Sequence, residues 1–236
     1  MKKLFVLMGA SGAGKSTLLN RVIQDGYCNA VVKYSERKRF NSVDDISTVE
    51  DIRDPKLQCD LIYKMYNNIY GFSSHKIFEQ LQRENAILIT NDIKTIERLK
   101  NFFPKQVVVV YVFSDINQRL LGQIYMKRHG APSMKNKKTI LIEELKKCED
   151  LIINDKTEEF VQRIEKMNIT IDNILLEDNE FKLRLESIKR QEELYLFAED
   201  YIVFNLYSNK ESAIHATESA YEQLKRIISK EMEEEK

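Results

Sequence analysis

Residues 4–17 read LFVLMGASGAGKST. The apolar run Leu4 to Met8 passes at once into Gly9, Gly12 and Gly14, and then into Lys15 and Ser16. Gly9, Gly14, Lys15 and Ser16 meet the pattern G-x-x-x-x-G-K-[ST]. The run predicts a buried strand, and Lys15 to Gln24 predicts a helix directly behind it. Glycines at such a junction let the backbone curl around a polyphosphate with several N–H groups pointing inward. The positive end of the following helix is aimed at the same anion. In this reading Gly9, Ala10, Ser11, Gly12, Ala13, Gly14, Lys15, Ser16 and Thr17 bind ATP, Lys15 contacts the β and γ phosphates, and Ser16 offers its hydroxyl to Mg²⁺. A chain of this length meets the pattern by chance about once in a hundred. Here three of the seven glycines fall in the one stretch, behind a strand of the right length.

The rest of the composition bounds the reading. A length of 236 residues supports one substantial core, and favours one domain with an insertion over two full domains. Hydrophobic residues make up 43% and charged residues 31%, an ordinary globular mixture. Lys plus Arg and Asp plus Glu both total 37, so nothing in the balance calls for nucleic acid or an anionic membrane as partner. The cysteines Cys28, Cys59 and Cys148 are far apart and lack metal-ligand spacing, which suggests buried thiols in a reducing cytoplasm. The apolar run after Lys2 and Lys3 is only about five residues, shorter than the roughly seven to fifteen of a signal core. No stretch approaches the roughly eighteen apolar residues of a membrane span, so a cytoplasmic location is expected.

Apolar runs at Leu4 to Met8, Ala30 to Tyr34, Ala86 to Thr90, Val107 to Phe113 and Tyr201 to Asn205 predict five strands. Helical patterns lie between them at Lys15 to Gln24, Ser74 to Glu84, Ile93 to Phe103 and Ile116 to His129, the last behind Asp115 as N-cap. Strands alternating with helices imply an α/β fold with a parallel sheet covered on both faces. Residues 132–193 form a long, charged, helix-prone stretch that reads as a lid or insertion. The expected organisation is therefore a core over 1–131, the insertion over 132–193, and a return to the core over 194–236. That return ends in a helix from about Lys210 to Glu231. His75, His129 and His215 have no partners at ligand spacing and are assigned no chemistry.

A phosphate loop names the nucleotide and not the reaction. The base-reading N-K-x-D string of GTPases and the L-S-G-G-Q-like signature of transporter ATPases are both absent, which points toward small-molecule kinases. The order of further motifs resembles the guanylate kinase family of nucleoside monophosphate kinases. GASGAGKSTL at Gly9 to Leu18 looks like the family's phosphate loop, and YSERKR at Tyr34 to Arg39 sits where the family has its S-T-T-R segment. IYGFS at Ile69 to Ser73 resembles its Y-G-T/S turn, and ILITNDI at Ile87 to Ile93 its apolar strand ending in D-x-D. Phe103 and Pro104 before VVVVYVF, RLESIKRQEE at Arg184 to Glu193 and DYIVFN at Asp200 to Asn205 continue the same order.

The resemblance implies a P-loop kinase fold, with a five-stranded parallel sheet flanked by helices and a helical lid. It also implies ATP- and Mg²⁺-dependent phosphoryl transfer to a small phosphorylated acceptor, in the first place a nucleoside monophosphate. Arg37 is implied to bind the acceptor phosphate with Arg39 as a second contact. Tyr34 or Ser35 adds a hydroxyl, and Tyr70 donates to the same phosphate. Asp92 is implied to orient the Mg²⁺ hydration shell, and Arg128 and Arg184 to act on the transferring phosphoryl group from the lid. Arginine's planar fork suits phosphate oxygens, and phosphoryl transfer depends on charge neutralisation and positioning more than on covalent help.

The chain departs from the family on the acceptor side. Where the family reads guanine with a glutamate, nine residues before the tyrosine of its Y-G turn, this chain has Leu61 with Asp60 beside it. Thr90 replaces the first acid of D-x-D, Phe72 follows the glycine of the turn, and residues 41–59 lack the family's G-E-x-D-G-x-D-Y string. A kinase with an acceptor other than GMP fits this pattern, whether another nucleoside monophosphate or a phosphorylated sugar as in the related ribose bisphosphate kinases. The alternatives are a nucleotide-dependent regulator or NTPase, and a guanylate kinase-like interaction module that transfers no phosphate. A homodimer or a protein partner engaged through residues 132–193 is also open in either reading.

Overall fold

The computed structural model describes residues 1–36, 48–49, 59–65, 68–115, 162, 179–190, 200–206 and 210–233. In chain order the elements are β1 (Leu4–Met8), α1 (Lys15–Gln24), β2 (Asn29–Ala30), β3 (Lys33–Ser35), β4 (Thr48–Val49), β5 (Leu61–Met65), β6 (Asn68–Phe72) and α2 (Ser74–Leu81). They continue as β7 (Ala86–Ile89), α3 (Ile93–Phe102), β8 (Val107–Phe113), α4 (Asn179–Lys189), β9 (Tyr201–Phe204) and α5 (Lys210–Glu233). By compactness the chain divides into two units, residues 1–116 with 187–236, and residues 117–186. The expected helix from Ile116 to His129 and the expected boundaries at 131–132 and 193–194 lie outside the described residues. No described helix is long and apolar enough to cross a membrane.

The first unit is built on a five-stranded sheet in the order β2-β7-β1-β8-β9, with every pair parallel. Strand β1 is buried along its whole length, and its alternating side chains serve two cores. Leu4, Val6 and Met8 join Ile77 and Leu81 of α2 and Ile96 and Leu99 of α3. Phe5 and Leu7 join Leu18, Leu19 and Val22 of α1 and Ala220, Tyr221, Leu224 and Ile228 of α5. Each fully buried side chain of this size contributes about 1.5–3 kcal/mol. These uniformly apolar strands are therefore what a sheet covered on both faces requires. The fold is α/β, a parallel sheet flanked by helices, as the alternation of strands and helices implies.

The run from Ala30 to Tyr34 serves two sheets where one strand was expected. Asn29 and Ala30 pair with β7, and the Val31 N–H makes a last bond to the Ile87 carbonyl. Val32 then turns outward, 39% exposed. Lys33–Ser35 enters a second sheet of order β4-β3-β6-β5, in which β3 pairs antiparallel with β6 and parallel with β4. Apolar character reports burial and not which sheet does the burying.

At the far edge of the parallel sheet a side chain completes the ladder. The Phe204 N–H donates to Gln223 Oε1 at 3.0 Å, and Gln223 Nε2 donates back to the Phe204 carbonyl at 3.2 Å. The opposite edge, β2, is two residues long.

Candidate active site: a stapled phosphate loop

Strand β1 lies between β7 and β8; the connection from β1 runs through α1 to β2 on the β7 side, and the one from β7 crosses through α3 to β8 on the other, so the carboxyl end of β1 lies where strand order reverses. Open α/β sheets bind ligands there. Residues 9–14 form the loop at that end. Gly9, Gly12 and Gly14 have φ of 139°, 86° and 91°, a region side chains rarely enter. Two of these positions are also crowded. A Cβ on Gly9 lies 2.3 Å from the Val112 carbonyl oxygen, and one on Gly14 lies 2.5 Å from Asn205 Nδ2. Gly14 is the N-cap of α1, which puts the positive end of that helix at the loop.

Two asparagines hold the loop from neighbouring strand ends. Just past β7, Asn91 Oδ1 accepts from the Gly9 N–H at 3.0 Å, and its Nδ2 donates to the Gly9 carbonyl at 2.7 Å. Just past β9, Asn205 is 1% exposed, and its Nδ2 donates to the Ala13 carbonyl at 2.9 Å. The Lys15 ammonium donates to the carbonyls of Gly9 and Ala10, both at 2.7 Å. Lys15 is thus stitched to the first peptides of the loop.

Asp92 is the N-cap of α3, its Oδ2 accepting from Thr95 N at 2.8 Å and from Thr95 Oγ1 at 2.7 Å. Oδ1 carries neither bond. The carboxylate is oriented by its own helix, and capping leaves one oxygen for a hydrated cation. Thr90, where the family has an acid, is 2% exposed, and its hydroxyl accepts from the Asp92 N–H at 3.1 Å. Among the described residues no cluster of three or more His, Cys, Asp or Glu could hold a metal. Mg²⁺ beside a polyphosphate needs only one or two protein oxygens, and Ser16 and Asp92 are of that kind.

The second sheet sorts the expected acceptor residues. Ser35 lies opposite Tyr70, and Tyr34 opposite Gly71. Paired residues share a face and neighbours alternate, so Ser35 and Tyr70 are brought together while Tyr34 is turned away. Tyr70 stacks on Tyr63 at 5.4 Å between ring centroids. The Tyr34 hydroxyl instead accepts from the Lys76 ammonium, which also lies 5.0 Å from the Tyr34 ring centroid. Gly71 must lack a side chain because a Cβ there lies 2.7 Å from Cys59 Cβ. Arg37, Arg39 and Arg128 lie outside the described residues. Arg184 is on α4, in the part of it that belongs to residues 117–186.

Leu61 is fully buried in the core with Phe72 opposite it. Asp60 is already engaged, accepting from Ser74 N at 2.7 Å and Ser74 Oγ at 2.6 Å at the start of α2. Burial works against its charged form, but the bonds from Ser74 outweigh it and hold the carboxyl below its ordinary value. A depressed carboxyl stabilises the fold above its unfolded pKa, and that contribution fades as pH falls through the folded one. Asp60→Ala is expected to cost about 1 kcal/mol at neutral pH, since the pair is exposed. In urea unfolding the gap from wild type should narrow as pH is lowered to about 3. A gap that is constant with pH assigns the loss to packing instead.

A guanylate kinase from Fusobacterium nucleatum is 28% identical over 130 residues, covering 51% of this chain and 70% of that protein. The crystal structure of guanylate kinase from Anaplasma phagocytophilum matches 98% of this chain and 85% of its own, with a TM-score of 0.51 and 12% identity. This is a guanylate kinase-like P-loop kinase fold. No family model matches the chain. Asn91 and Asn205 are not among the site residues expected from the sequence. Asn91 occupies the middle of the stretch that resembles D-x-D, and Asn205 closes the stretch that resembles the last strand. The available signal was an amide residue at the carboxyl end of each of two predicted strands.

Proposed function

We propose that the chain transfers the terminal phosphoryl group of ATP, with Mg²⁺, to a small phosphorylated acceptor, a nucleoside monophosphate or a phosphorylated sugar. The observation that carries this reading is the loop itself. It has three glycines in left-handed conformations, a helix N-terminus behind them, and the Lys15 ammonium at the loop's first two carbonyls. The guanylate kinase-like fold supports the reaction class.

In this reading backbone N–H groups of the loop beyond Gly9 cradle the phosphates, and Lys15 turns from Gly9 and Ala10 to the β and γ oxygens. Ser16 and Asp92 hold the metal through oxygen and water, and the metal neutralises charge on the phosphates. On the resemblance alone, Arg37, Arg39 and Tyr70 are assigned to the acceptor phosphate and Arg128 and Arg184 to the transferring group. Ser35 is the better candidate for the added hydroxyl, since it shares a face with Tyr70 and Tyr34 does not. With Leu61 buried and Asp60 bonded to Ser74, neither offers an acid to a guanine edge. We therefore assign the acceptor to a class other than GMP.

The test is ADP release from Mg·ATP with GMP, dGMP, AMP, CMP, UMP, dTMP and ribose 1,5-bisphosphate offered singly, beside a blank without acceptor. The expected result is stimulation by an acceptor other than the guanine nucleotides. Stimulation by GMP alone overturns the acceptor assignment. Release equal to the blank with every acceptor overturns the kinase reading in favour of a nucleotide-binding regulator or interaction module.

A further inference from the structure

We propose that Asn91 is a positioning residue of the phosphate loop that makes the turn of Lys15 toward a polyphosphate easier, an inference that rests on the nucleotide-binding reading above. The Gly9 carbonyl accepts two donors at once, Lys15 Nζ and Asn91 Nδ2, each at 2.7 Å. The Gly9 N–H is also taken, by Asn91 Oδ1 at 3.0 Å. A side-chain amide carries a donor and an acceptor side by side, so it can satisfy both groups of one backbone residue. A carboxylate of the same shape offers two acceptors and sets one of them against the Gly9 carbonyl.

When a polyphosphate draws Lys15 away, a carbonyl of a buried residue left without a donor opposes the movement. Asn91 remains on Gly9 and keeps that carbonyl satisfied, as the Ala13 N–H, 3.2 Å away, does for the Ala10 carbonyl. Asn91 also anchors Gly9 at a point where an added Cβ meets the Val112 carbonyl. Its influence on nucleotide binding therefore runs through Lys15, and the two residues are energetically coupled.

The test is a double-mutant cycle on the full chain. The probe is the non-hydrolysable imido analogue of ATP with Mg²⁺, titrated calorimetrically without acceptor. Asn91→Ala is expected to weaken binding about tenfold, the scale of one hydrogen bond. In a Lys15→Ala background the same substitution should change it less than about twofold. Asn91→Asp keeps the bond from the Gly9 N–H and the side-chain size, so it covers the case in which Asn91→Ala does not fold. It should weaken binding at least as much as Asn91→Ala, again with the effect reduced when Lys15 is absent. Equal losses in both backgrounds assign Asn91 a structural role only and overturn the proposal, as does unchanged affinity in either variant. Failure of the wild-type chain to bind the analogue overturns this inference together with the proposed function.

Discussion

Gly9→Ala is expected to lower the melting temperature by roughly 10 °C and to abolish detectable phosphoryl transfer. The added Cβ lies 2.3 Å from the Val112 carbonyl oxygen, and that oxygen belongs to the backbone of a central strand that is fully buried at Val112. A side-chain tip can rotate away, but a paired strand moves only as a whole. The φ of 139° adds strain that an L residue meets at any spacing. Together these cost roughly 2–5 kcal/mol, a large fraction of the 5–15 kcal/mol that holds a typical domain folded. The loss of function should exceed the loss of stability. Moving Gly9 breaks both Asn91 bonds and displaces the carbonyl on which Lys15 rests. Thermal melts read beside single-turnover assays check this, and a variant that melts with wild type shows that the strand end yields.

Lys15→Ala should reduce turnover by about 10²–10³-fold or more, the scale of removing one preorganised donor to developing charge. Its effect on stability should be small. The two bonds of the ammonium go to carbonyls at the loop mouth, and Lys15 is only partly buried, so water can replace it. A melting temperature within a few degrees of wild type, with turnover lost, separates this variant from Gly9→Ala. Full turnover in Lys15→Ala removes the loop from the reaction.

The two variants probe the part of the molecule most legible in the sequence. The helix expected from Lys15 to Gln24 is found over those residues, because strand, glycines and helix are contiguous and each acts on its neighbours. What was not legible depends on pairing across distance. Strands β5 and β6 have exposed or half-exposed positions and a tyrosine-lined face, so they lack the uniform apolar character that marks the central sheet. The pattern along the chain therefore does not disclose the second sheet they form with β3, and Ala30 to Tyr34 has the character of a single strand. Asn91 and Asn205 act on loop residues 82 and 192 positions away, where no local pattern reports them. Asp60, an acid beside the expected guanine-reading position, is bonded to Ser74 fourteen positions away, across the pairing of β5 with β6.

The way Gln223 meets Phe204 bears on how this chain can associate with others. An open strand edge offers unpaired amides to any extended segment, and templated strand addition and aggregation both begin there. Here the amide of Gln223 mimics one step of a further strand, so an incoming segment must first displace it. The other margin, β2, is too short to template more than a residue or two. Among the described strands, the central sheet is therefore blunted on both sides against recruitment of foreign backbone. At this sheet a binding partner would have to recognise helices or side-chain surfaces.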